Sequence, residues 1–239
     1  MRHAAWMSTC AYYVGLLFLF TMPLRDPGWV SWLPVLLAIQ IVGGLTISVG
    51  YHRLFCHQAF QAARPWHWLF AFLGIYYWYG SPSQWRPTHT AHHVHSDTPL
   101  DPHPSGPRAL LTKAYNDVPL DVWCLRRLWR TDPTLHALVD LLYVPIALLM
   151  IAVMAWISPT FLTMAYLPAL GVAHLVGAIH NTFSHWPNGP RDIWWMELIA
   201  PAGGEWLHAT HHANPGRVSF RTRWYHIDPG AALIRLIRS

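Results

Sequence analysis

Four stretches of this chain, residues 4–24, 29–50, 138–157 and 160–180, are apolar over about the twenty residues of helix that cross a bilayer. No other feature narrows the fold as far. Charged residues make up only 11% of the chain, against about 25% in ordinary soluble domains. A further 53% are apolar, with 15 Trp among them. So little charge cannot cover a soluble surface, and a bilayer is the natural solvent. The expected fold class is all-α and integral to the membrane: four transmembrane helices in two hairpins, with a cytoplasmic helical cap. A single domain covers residues 1–239, since no repeat, low-complexity tract or linker divides the chain. No small-x-small cleavage site follows the first apolar run, so that run is expected to stay as a helix. Ser158-Pro159 leaves room only for a tight turn between the last two spans. Residues 66–80 are apolar but too short to cross, and are expected to form a re-entrant or interfacial helix.

Charge fixes the orientation. Of the 16 Lys and Arg residues, eight lie between Arg53 and Arg130, Lys113 being the only lysine, and six between Arg191 and Arg238. Arg2 shares their side and only Arg25 lies across the membrane. The positive-inside rule then places segments 51–137 and 181–239 in the cytoplasm. The basic residues form no patch interleaved with polar base readers, so a nucleic-acid partner is excluded. Cys10, Cys56 and Cys124 lie far apart and form no metal-binding pair.

The 17 histidines are the second anomaly, because histidine at membrane depth is costly and usually functional. Three clusters stand out: His52 and His57 as H-x4-H, then His89, His92 and His93 as H-x2-H-H, then His208, His211 and His212 in the same pattern. On a helix advancing about 100° per residue, positions i, i+3 and i+4 share a face. Three rings from one H-x2-H-H can therefore enter one cavity. The adjacent pair His92 and His93 diverges by that angle, so its rings are expected to serve different metals. His52 and His57, about 140° apart on an ideal helix, are likewise expected to ligate different ions. A two-metal site in the cap follows. Imidazole suits Zn, Cu, Fe and Ni. Structural zinc needs only four ligands and favours cysteine, whereas attack on an unactivated C–H bond of a lipid needs a redox metal, which points to two iron ions. His3, His67, His136 and His226 stand alone and are read as interface or core residues.

These motifs resemble the membrane fatty-acyl desaturase family over nearly the whole chain. The resemblance is carried by Gly50-Tyr-His52-Arg-Leu-Phe-Cys-His57, by Trp85 before His89-x-x-His92-His93, and by Ser96-Asp-Thr-Pro-Leu-Asp101-Pro-His103. It continues through Gly204-Glu205-x-x-His208-x-x-His211-His212 and Arg223-Trp224-Tyr-His-Ile-Asp228. The family's N-x3-H element matches Asn181-Thr-Phe-Ser-His185. The resemblance implies nine ligating histidines, His52, His57, His89, His92, His93, His185, His208, His211 and His212. Asn181 would hold one iron directly or through water. Trp85 would line the acyl channel. His180 and His174 are left outside the ligand set, with a hydrogen-bonding role expected for each. Metal-bound imidazoles usually pass their other N–H to a carboxylate. Asp97, Asp101 and Glu205 sit where they could accept it, helix capping or a solvated loop charge being the other reading of these three.

The implied reaction is O2-dependent insertion of a cis double bond into a saturated acyl chain, with delta-9 as the candidate position. Its two electrons would come from an external donor of ferredoxin or cytochrome b5 type with its reductase, since the chain carries neither a ferredoxin cysteine pattern nor a haem-binding segment. The substrate is an acyl-lipid or an acyl-CoA. Thr90 stands where many relatives carry arginine, and Pro87 where the animal acyl-CoA enzymes carry one near the CoA, which weakens the case for a CoA ester. The C-terminal stretch 227–237 resembles bacterial members, implying a multi-pass protein of the bacterial inner membrane with its site on the cytoplasmic side. Two alternatives are a diiron hydroxylase or ketolase of the same superfamily, which would add oxygen to its product, and a non-enzymatic metal carrier.

Overall fold

A computed structural model describes residues 2–103, 106, 110 and 121–239, without the side chains of residues 2–6. Lys113 and the rest of that stretch of segment 51–137 lie outside the described residues. Among the described residues the regular structure is helical, joined by turns and loops, with two isolated β-bridges, Ala62 with Arg238 and Asp192 with Leu207. The longer elements are α1 (Arg2–Phe20), α2 (Leu33–Leu45), α3 (Arg64–Tyr76), α4 (Pro82–His95), α5 (Leu125–Thr131), α6 (Pro133–Ile157), α7 (Leu167–His185), α8 (His208–Ala213) and α9 (Pro229–Ile237). Two π-helical stretches, Thr46–Cys56 and Leu162–Tyr166, continue α2 and precede α7.

Three helical runs among the described residues are long and apolar enough to cross a membrane: Trp29–Cys56, Pro133–Ile157 and Pro159–His185. The first expected span corresponds to α1, whose described apolar part, Met7–Phe20, is shorter. Each of the other three helices outruns its apolar window. α6 starts at Pro133, where the Asp132 carboxylate accepts the Leu135 N–H at 3.0 Å. The run from Pro159 extends to His185, and the run from Trp29 passes beyond residue 50 to Cys56. Hydropathy registers only the part that suits lipid, while backbone hydrogen bonding carries these helices on into the polar cap.

Packing follows from small residues and outward apolar ones. Gly15 of α1 and Gly171 of α7 bring the two backbones together so closely that a Cβ on either would overlap the other, as at helix crossings in lipid. Leu141, Leu149 and Trp156 project from α6 into the surroundings. The 13-residue α3 is shorter than the runs long and apolar enough to cross a membrane. Its Phe70 fills the space where a Cβ on Gly50 would stand. α4 begins at a capping box: the Ser81 hydroxyl accepts from Gln84 N–H and the Gln84 carboxamide accepts from Ser81 N–H. That cap fixes the start of the helix that carries the second histidine cluster.

Candidate metal centre

Nine histidines converge on two adjacent points. His52, His57, His89, His93 and His211 form one group, and His92, His185, His208 and His212 form another; within each, the facing nitrogens all lie within 4.8 Å of one another. In the first group, His52 Nε2 stands 2.9 Å from His211 Nε2, His211 Nε2 2.8 Å from His93 Nε2, and both His57 and His93 Nε2 3.0 Å from His89 Nε2. In the second, His208 Nε2 lies 2.6 Å from His185 Nε2 and 3.0 Å from His212 Nε2.

The divergence expected of adjacent histidines holds. His93 belongs to the first group and His92 to the second, and His211 and His212 divide the same way. The expectation for His52 and His57 fails, because both join the first group. Residues 46–56 form a π-helix, and the His57 N–H bonds to the His52 carbonyl at 2.9 Å. An i→i+5 repeat brings every fifth residue back to nearly one face, so the two rings lie 4.8 Å apart instead of diverging by 140°.

Carboxylates orient the rings from behind. Glu205 lies 2.5 Å from His52 Nδ1, Asp101 3.0 Å from His92 Nδ1 and Asp97 3.3 Å from His185 Nδ1. A carboxylate at Nδ1 takes the N–H, which turns the lone pair of Nε2 toward the group centre. Several converging lone pairs repel one another unless a cation lies between them. Burial, reinforced by the neighbouring imidazoles, pushes His57, His93 and His212 down to about 2 and also lowers His89, His208 and His211. The rings are thus neutral, the form that binds metal. The donor set therefore suits two imidazole-preferring metal ions.

The chain aligns with curated desaturases over most of its length. The sn-1 stearoyl-lipid 9-desaturase of Anabaena variabilis is 27% identical, covering 98% of this chain and 90% of that protein. The delta-9 acyl-lipid desaturase 1 of Arabidopsis thaliana is 27% identical over 92% of this chain and 77% of its own. The acyl-CoA desaturase 1 of Saccharomyces cerevisiae is 24% identical over 82% of this chain and 42% of its own. Curated proteins named as acyl-lipid and acyl-CoA desaturases thus resemble this chain at 24–29% identity over about 95% of its length, which supports the fatty-acyl desaturase family. No protein-family model matches this chain.

A cavity of about 150 Å³ opens beside both histidine groups, bordered by His52, His89, His92 and His208. Trp85 lines it with its indole stacked on His89 at 4.6 Å. Asn181 also lines it, and its side-chain oxygen lies 3.5 Å from His180 Nδ1. His180 and His174 bond as expected: His180 Nε2 to the Glu205 carbonyl at 2.9 Å, and His174 Nε2 to the Tyr77 carbonyl at 3.0 Å.

Two supporting residues escape sequence reasoning. Ser48 donates to Glu205 at 2.6 Å. Arg53 is fully buried, pairs with Asp228 at 2.9 Å and lies 3.9 Å from Glu205. Its guanidinium stacks 3.9 Å over Phe220, whose ring packs on His211. Burial raises the Glu205 carboxyl while the Arg53 charge opposes that rise. The only signal for Arg53 is its place inside H-x4-H. Its partners lie 150 or more residues away, so no local pattern reveals them.

Proposed function

We propose that this chain is an integral-membrane, O2-dependent fatty-acyl desaturase that inserts a cis double bond, at the delta-9 position of its named relatives, into the acyl chain of a lipid or a CoA ester. The observation that carries this reading is the pair of inward-facing imidazole groups opening onto a cavity at the ends of apolar helices. His52, His57, His89, His93 and His211 would hold one iron, and His92, His185, His208 and His212 the other, with Asn181 completing the second set. Glu205, Asp101 and Asp97 would fix the tautomers of His52, His92 and His185. Bound iron supplies, with dioxygen and two electrons, the oxidant for hydrogen removal from two adjacent methylenes; two protons join the four-electron reduction of O2 to two waters. Trp85 and the cavity wall would hold the acyl chain still, so that position alone selects the carbons.

Four spans, with both termini and the histidine sites on the cytoplasmic face, agree with the basic segments that flank α4 and α8. That face would receive electrons from a separate ferredoxin or cytochrome b5 type donor. In a bacterium the membrane would be the inner one. Expression in a host lacking desaturases, with mass spectrometry of its lipids, tests the reading. A new double bond that disappears with His92→Ala is the expected result. An added oxygen instead of a double bond would indicate the hydroxylase or ketolase chemistry.

A further inference from the structure

The far end of the cavity is polar, although it lies among membrane helices. His174 precedes His185 by eleven residues on α7, which places it about 16 Å along the helix axis from that ligand. Gln40 precedes His52 by twelve residues along the run from Trp29, so it sits at a comparable depth. Gln40, His174 and Ser8 of α1 all border the cavity there, and all three are more than nine-tenths buried.

The hydrogen bonds at this end leave one acceptor unmatched. His174 Nε2 faces the Tyr77 carbonyl, which only accepts, so Nε2 carries the proton. His174 Nδ1 then accepts from the Ser8 hydroxyl at 3.3 Å. The Gln40 carboxamide donates through Nε2 to the Pro201 carbonyl at 2.9 Å, which fixes the orientation of the amide. Its Oε1 is buried and has no hydrogen-bond partner among the described residues. A methyl-ended chain pressed against this oxygen would strand it, whereas an O–H group would satisfy it. The lumen between the histidines and this end is open at Gly177, where an added Cβ would meet nothing within 4 Å.

We propose that the far end of the cavity is a hydroxyl-binding subsite, in which Gln40 Oε1 accepts a hydrogen bond from an alcohol carried near the distal end of the substrate acyl chain. Gln40 is thereby a specificity-determining residue that favours hydroxylated chains over methyl-ended ones of equal length. The proposal rests on the desaturase reading above.

The test uses the full chain expressed in a host without desaturases, fed saturated fatty acids of graded length in matched pairs, one methyl-ended and one ω-hydroxylated. Double-bond formation is read by mass spectrometry. At the length that reaches Gln40, the wild type is expected to convert the hydroxylated acid about tenfold better than its partner. Gln40→Met keeps the length of the side chain and removes the acceptor, and should abolish that preference. Gly177→Leu fills the lumen, and should suppress turnover of both members of that pair relative to shorter acids. A ratio that is the same in wild type and Gln40→Met at every length overturns the subsite while leaving the desaturase reading intact. The absence of a double bond from every acid in the wild type overturns both.

Discussion

The carboxylate behind His52 is enclosed: Glu205 is buried, takes a hydrogen bond from Ser48 and faces the Arg53 guanidinium. The carboxylate behind His185 is not, because the Asp97 side chain keeps 31% of its exposure. The first histidine group also has five imidazoles to the second group's four. Three separate elements contribute to the first group, the π-helical stretch that brings His52 and His57 together, α4 and α8. The difference shows where the protein has invested rigidity. The first site is over-determined by burial and by redundant ligands, whereas the second depends on each of its four rings and on a loop carboxylate in reach of water.

The sharpest way to break this contrast is to remove one ring from each group. His208→Ala leaves three imidazoles in the second group, and should lose one of the two irons and bring desaturation to background. His211→Ala leaves four in the first, and should retain more iron than His208→Ala. Equal loss from both variants, read by metal analysis, would remove the distinction.

The next comparison weakens the carboxylates. Replacing the hydrogen-bond partner of a metal-bound imidazole typically costs 10- to 100-fold. Glu205→Gln should fall near the upper end, about 100-fold in desaturation rate, because His52 loses its buried carboxylate partner and Arg53 loses one of its two opposing charges. Asp97→Asn should cost about tenfold, since water can take its place. A larger loss from Asp97→Asn than from Glu205→Gln would invert the ranking.

The smallest expected effect is on pH dependence. His57, His93 and His212 are held at about 2, below histidine's ordinary value of 6.5, so the unfolded chain takes up protons before the folded one. Stability of the metal-free protein should therefore fall as the pH drops from about 6.5 toward 2. Asp101 works in the same direction. Burial raises its carboxyl, but the hydrogen bond from His92 outweighs that and holds it below its ordinary value. Its contribution is present above the ordinary aspartate value and is lost as the pH falls through the folded one. Thermal unfolding in detergent at pH 7.5 and pH 5.5 should show the lower melting temperature at pH 5.5. No difference, or the reverse, would contradict the buried neutral histidines.

Much of this site was legible in the chain itself. The H-x2-H-H spacing anticipated that His89, His92 and His93 would gather on one side of a helix, and the 100° step between neighbours anticipated the division of His92 from His93 and of His211 from His212. The three carboxylates beside the clusters were legible as candidate partners, but which ring each one faces, His52, His92 or His185, was not. The pairing of His52 with His57 was not legible, because an α-helical period was assumed where the backbone follows a five-residue repeat. That repeat is supported by tertiary contacts such as Phe70 on Gly50, which no local pattern encodes. Arg53 and Ser48 stayed hidden for a related reason, since only folding brings residues 203–228 beside them. The ends of the helices were not legible, because backbone hydrogen bonding carries them past the apolar windows.

The central claim is that nine histidines divide between two metal ions. Iron counted per chain, on protein purified in detergent after anaerobic loading with Fe(II), tests it most directly. The account predicts two irons per wild-type chain and about one in His208→Ala. One iron or none in the fully loaded wild type would contradict it.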